Sequence, residues 1–167
     1  GGIGSEAVKK MASMGINVVM VTHNQKFADA IAEACRDLPG EVVAMSNEGG
    51  DDAVFEDVYK RFGSIDILIP NHGGPERMNR IEDISIEDIE HELDHQVINT
   101  FKMIRRAAPY LEKGGSGRII LMSSEGAYTG DNRFSFEKSV ANGSVTAMMR
   151  YLAKYYAEKG ITVNSIV

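Results

Sequence analysis

The chain has 167 residues, 43% hydrophobic and 25% charged, with a formal net charge of −6. That is enough for one domain with a sizeable core, and the negative balance argues against a broad nucleic-acid-binding surface. Cys35 stands alone, so no intrachain disulfide forms; no apolar run is long enough to cross a bilayer and no signal peptide opens the chain, a pattern expected of a cytoplasmic protein without membrane contact.

Residues 1–15, GGIGSEAVKKMASMG, run from glycines directly into an amphipathic helix with Gly15 as its C-cap. Gly2, Ile3 and Gly4 stand where the first N–H groups of that helix face a pyrophosphate, since glycine permits close backbone approach. In a nucleotide-binding βαβ unit a buried strand precedes such glycines. None is present, and the chain also stops inside an apolar strand, so it reads as a fragment of a longer domain lacking the first strand.

INVVMV (16–21) is the first of five short apolar runs, followed by EVVAM (41–45), IDILIP (65–70), RIILM (118–122) and ITVNSIV (161–167). They lack period-two alternation, as strands buried on both faces of a parallel sheet do. After the first run come Thr22, His23 and Asn24. An acidic residue there would bind the adenosine ribose 2′-hydroxyl; its absence leaves room for a 2′-phosphate and leans towards NADP over NAD. After IDILIP come Asn71, His72 and Gly73, at a strand's carboxyl end.

The clearest helical spacing runs through Ile86, Ile89, Leu93, Val97, Phe101, Ile104, Ala108 and Leu111. Within it, HELDH (91–95) matches a zinc-hydrolase pattern, with His91 and His95 as ligands and Glu92 as base. Both histidines lie two residues from Leu93, roughly 200° around the helix from the core face, so they are expected at the surface. No metal is expected. Residues 140–156 repeat the helical pattern through Val140, Val145, Met148, Leu152 and Tyr156. Strands alternating with helices imply right-handed crossovers. The expected fold is a single α/β domain over 1–167: a doubly wound, mostly parallel sheet in three layers, of the Rossmann type.

Together, GGIG (1–4), FGSIDILIPNHGG (62–74), GSGRIILMSSEG (115–126) and EKGITVNSIV (158–167) resemble the short-chain dehydrogenase/reductase family in order and approximate spacing. The resemblance implies a nicotinamide cofactor, a small-molecule carbonyl or alcohol substrate, and a homo-oligomer (dimer or tetramer) built on the helices at 86–113 and 136–159. It implies cofactor contacts at Gly2, Ile3, Gly4, His23, Asn71, Gly73 and Asn142. In the family a serine after RIILM polarises the carbonyl, and here that is Ser123 or Ser124. A tyrosine exchanges the proton, a lysine one turn later tunes it and binds ribose, and an asparagine in the preceding long helix holds a relay water.

The tyrosine has no counterpart. Counting back from GITVN without gaps puts Lys138 at the tyrosine position and Asn142 at the lysine position. Keeping Lys138 as the lysine puts Phe134 at the tyrosine position and needs an insertion inside a helix, which is costly to its buried face. Asn142 also separates the chain from the enoyl-acyl-carrier-protein reductases, whose tyrosine and lysine are more widely spaced. The relay asparagine falls on Gln96, with Asn99 one turn on, and the aspartate expected near adenine falls on Ala44. Lys138 or Tyr128 could replace the missing acid. The expectation is an NAD(P)-dependent oxidoreductase with an atypical site. The alternatives are an inactive nucleotide-binding relative with a regulatory role and, remotely, a zinc hydrolase.

Overall fold

The computed structural model describes residues 2–22, 24–45, 51–73, 80–130 and 135–167. It divides into two compact units, Gly1–Arg61 and Phe62–Val167.

In the first unit the elements are α1 (Ile3–Ser13), β1 (Val18–Val21), α2 (Gln25–Ala34), β2 (Val42–Met45) and α3 (Asp51–Phe62). Strands β1 and β2 pair in parallel from Val18↔Val42 to Val21↔Met45. Val8, Ile31 and Cys35 form the buried cluster, packed by Val18, Met20, Leu38 and Val42. Gly15 ends α1 with φ 81°, a left-handed conformation that glycine adopts without a Cβ penalty. The chain re-enters the ladder at Gly40, where a Cβ would lie 2.1 Å from the Ile16 carbonyl oxygen. The strands are only half-buried, with Val21 exposed, against the expectation of two covered faces. In a two-stranded ladder each strand keeps one edge unpaired.

The second unit holds β3 (Ile67–Leu68), α4 (Ile86–Glu92), a π-helical turn (Leu93–Ile98), α5 (Asn99–Gly114), β4 (Arg118–Met122), α6 (Gly126–Thr129), α7 (Phe136–Ala157) and β5 (Thr162–Ile166). Its strands are parallel in the order β3-β4-β5, in register at Leu68↔Ile119 and Ile119↔Val163. β3 stops short of the expected 65–70; Pro70, fully buried, has no N–H to extend the ladder. Ile104, Leu111, Ile119, Leu121, Val145 and Ile161 fill the core. Gly117 allows a close approach, since a Cβ there would meet Leu111 at 2.9 Å and Ile161 at 3.0 Å.

The long helix expected at 86–113 is interrupted. Apolar steps of three and four cannot reveal a π turn, which changes the hydrogen-bonded partner without changing composition. Its buried face runs through Gln96, Thr100, Ile104, Ala107, Ala108 and Leu111, while Ile86 and Phe101 are exposed. Two polar side chains thus occupy buried places that a hydrophobicity count gives to their neighbours. No helix among the described residues is long and apolar enough to cross a membrane.

Candidate active site

In the first unit, Gly2 is the N-cap of α1 with φ 68°, a value that favours glycine. No side chain caps the helix, and a Cβ built on Gly2 meets nothing within 4 Å. The Gly2 carbonyl is used internally, accepting from the Ser5 hydroxyl at 2.9 Å and the Glu6 N–H at 3.4 Å. Among the described residues the first-turn N–H groups around Ile3 and Gly4 therefore meet no side-chain acceptor, an arrangement that fits an anionic phosphate. Thr22 accepts from the Asn24 N–H at 3.1 Å, and Asn24 caps α2 by accepting from the Phe27 N–H at 3.1 Å. Gly1 and His23 lie outside the described residues.

In the second unit the candidate residues gather at the carboxyl end of β4 and the start of α7. Lys138 and Asn142, one helical turn apart on α7, are both buried although polar. The Ser123 hydroxyl donates to the Asn142 carbonyl at 3.3 Å and lies 3.0 Å from the Thr146 hydroxyl. Its backbone N–H donates to the Ile166 carbonyl at 2.8 Å, tying it into the sheet. Thr146 donates to the Asn142 carbonyl at 3.0 Å and lies 3.3 Å from the Tyr128 phenol oxygen. Ser123, Asn142 and Tyr128, three of the sequence candidates, are thus joined through one residue that sequence reasoning missed. The signal was faint: Thr146 continues the Lys138–Asn142 face by one more turn.

Ser124 has a different setting. Among the described residues its half-buried hydroxyl makes only a long contact, 3.4 Å, from the Gly126 N–H. Glu137 was also missed. It is buried, and its Oε2 has no hydrogen-bond partner among the described residues. Asn71 and Gly73 are exposed after β3, and His72 is half-buried. Phe134, the tyrosine position of the less favoured register, lies outside the described residues.

Gln96, at the position of the relay asparagine, is buried within the π turn and donates to Glu92 Oε1 at 2.6 Å. That bond engages one oxygen of the Glu92 carboxylate. The rings of His91 and His95 stack at 6.1 Å, and His72 meets His95 edge-on at 5.7 Å. His91 is exposed, as expected, whereas His95 is half-buried. Among the described residues no group of three His, Cys, Asp or Glu side chains is placed to hold a metal.

A family model described as enoyl-(acyl carrier protein) reductase, a short-chain dehydrogenase type, matches residues 1–167. The chain belongs to the short-chain dehydrogenase/reductase family, whose general cofactor is NAD or NADP. It is 27% identical over 167 residues to an uncharacterized oxidoreductase of Staphylococcus epidermidis, covering 99% of this chain and 71% of that protein. It is 28% identical over 173 residues to glucose 1-dehydrogenase 2 of Bacillus subtilis, covering 99% and 66%. The fold matches the crystal structure of sorbitol-6-phosphate 2-dehydrogenase from Erwinia amylovora with a TM-score of 0.85 and 23% identity, over 97% of this chain and 65% of that one. That likeness makes the fold Rossmann-type, as the strand–helix alternation predicts.

Proposed function

We propose that the chain carries the working elements of an NAD(P)-dependent oxidoreductase acting on a small carbonyl or alcohol. The observation that carries this reading is the bond from Ser123 to Asn142 at the β4–α7 junction, with Ser124 next in sequence and the buried Lys138 one helical turn before Asn142. The nicotinamide would supply or accept the hydride; within the first unit Gly2, Ile3 and Gly4 would hold a phosphate at the start of α1, and within the second Asn71, Gly73 and Asn142 are the residues that the family resemblance gives to a nicotinamide. Ser124 is the better carbonyl-polarising group, because Ser123 spends its hydroxyl on α7. Lys138 and Tyr128 are the two candidate acids.

NADP is the favoured form. Thr22 and Asn24 put no carboxylate after β1, so nothing repels a 2′-phosphate there. The names of the Bacillus and Erwinia proteins point to sugar or polyol alcohols, which suits this substrate class. A homo-oligomer fits the exposed Ile86, Phe101, Tyr151 and Tyr155 on the helices at 86–114 and 136–157. A second reading, a nucleotide-binding relative without turnover, is favoured by the loss of both the tyrosine and the lysine one turn later.

Calorimetric titration of the full-length protein with NADPH and then NADH, without substrate, tests both. Binding of NADPH in preference to NADH, followed by carbonyl reduction, is the expected result. Binding without turnover on any carbonyl supports the second reading, and binding of neither nucleotide by folded protein defeats both.

A further inference from the structure

Tyr128 lies one turn beyond Ser124, and the turn is hung on that serine. The Ala127 N–H donates to the Ser124 carbonyl at 3.1 Å, the Gly126 N–H to its hydroxyl at 3.4 Å, and the Tyr128 N–H to the Glu125 carbonyl at 2.9 Å. The Tyr128 ring is 52% exposed, yet its phenol oxygen lies 3.3 Å from the Thr146 hydroxyl, and Thr146 is only 5% exposed. A helical threonine commonly closes on the carbonyl four residues back and nothing more. Thr146 does so at 3.0 Å, and it also has Ser123 Oγ at 3.0 Å and Tyr128 on its remaining side. Thr146 thus stands within hydrogen-bond distance of three oxygens, with one hydrogen to share among them. The three hydroxyls form a chain from a solvent-reachable phenol to the end of β4.

We propose that Tyr128 gives the proton to the substrate oxygen in place of the tyrosine absent from α7, and that Thr146 is the positioning residue that holds its phenol. This rests on the oxidoreductase reading above. In the reductive direction a bound dihydronicotinamide would supply a hydride to the carbonyl carbon, and the electron pair of the broken carbonyl π bond would go to oxygen. That oxygen takes the phenol proton, and the O–H bonding pair stays on Tyr128 as phenolate. Thr146 turns its hydrogen from the Asn142 carbonyl to the phenolate, and a solvent proton restores the phenol through the exposed side of the ring. The 3.3 Å separation is long for two hydroxyls, and such contacts tighten when charge develops.

The test uses the full-length protein, NADPH, and 4-nitrobenzaldehyde as the carbonyl probe, with Tyr128→Phe, Thr146→Val and Thr146→Ser. Tyr128→Phe is expected to lower kcat by about 100-fold or more, the usual worth of a general acid. Thr146→Val is expected to lower kcat by about 10-fold with unchanged KM and NADPH affinity, and Thr146→Ser to restore most of it. Melting temperatures give a readout independent of turnover: the Tyr128→Phe/Thr146→Val double variant should lose less than the sum of the single losses, because the two share one hydrogen bond. Wild-type turnover that survives Tyr128→Phe with an unchanged pH profile overturns the donor role and leaves the oxidoreductase reading intact, with Lys138 as acid. Strictly additive melting losses overturn the role given to Thr146. Failure of the wild-type protein to bind NADPH overturns the oxidoreductase reading and, with it, the donor role.

Discussion

Lys159, just beyond the end of α7, donates to Glu112 in the last turns of α5 at 2.7 Å, and its ammonium lies over the rings of Tyr155 and Tyr156 at 5.1 and 5.5 Å. The pair joins two residues 47 apart in the sequence. Its hydrogen bond to Glu112 raises the Lys159 pKa, and burial raises that of the Tyr156 phenol. Both groups hold their protons more tightly folded than unfolded. Their contribution is complete below the unfolded values, near pH 10, and is lost as pH rises through the folded ones. Urea unfolding across the alkaline range should show stability declining only above about pH 10. A decline from these groups between neutrality and mildly alkaline pH would contradict the assignment.

Gly2 and Gly40 should both lose stability on substitution by alanine, to different extents and for different reasons. At Gly40 the new Cβ would strike the Ile16 carbonyl, a backbone group that cannot turn aside. Gly40→Ala should cost about 3 kcal/mol or more of stability. Gly2 has open space, so Gly2→Ala should cost only about 1–2 kcal/mol, from its left-handed conformation. Its effect on NADPH affinity should be out of proportion to that loss, as isothermal titration beside denaturant curves will show.

The two serines should separate turnover from stability. Ser123→Ala removes a hydroxyl bonded to α7 and should cost about 1 kcal/mol of stability. Ser124→Ala should leave stability within about 0.5 kcal/mol and lower kcat by about 100-fold. Equal kcat losses for both variants would show that the hydroxyl pointing into α7 also reaches the substrate.

Chelation should leave turnover unchanged. Among the described residues no third ligand joins His91 and His95, so EDTA dialysis and the His91→Ala/His95→Ala double variant should both retain carbonyl reduction. Loss of activity restored by added Zn²⁺ would revive the zinc reading.

Much of the fold was legible because buried strands and amphipathic helices advertise themselves by composition. All five apolar runs are strands, and Gly15 stops α1 as its left-handed φ requires. The π turn at Leu93–Ile98 was hidden, since one shifted hydrogen-bond register leaves an apolar stripe looking continuous. Placing Gln96 and Thr100 in buried positions needed the packed helix itself.

The amino-acid order alone determined the strand–helix alternation, the glycine start of α1 and the absence of a tyrosine at Phe134 and Lys138, because these are properties of local spacing and residue type. Only the tertiary structure decided that Ser123 is spent on α7 while Ser124 is not, and that Tyr128 reaches Thr146. Those facts depend on contacts spanning 18 to 23 residues. Such contacts follow from how β4, α6 and α7 pack, and a linear pattern carries no record of which hydroxyl a folded helix will meet.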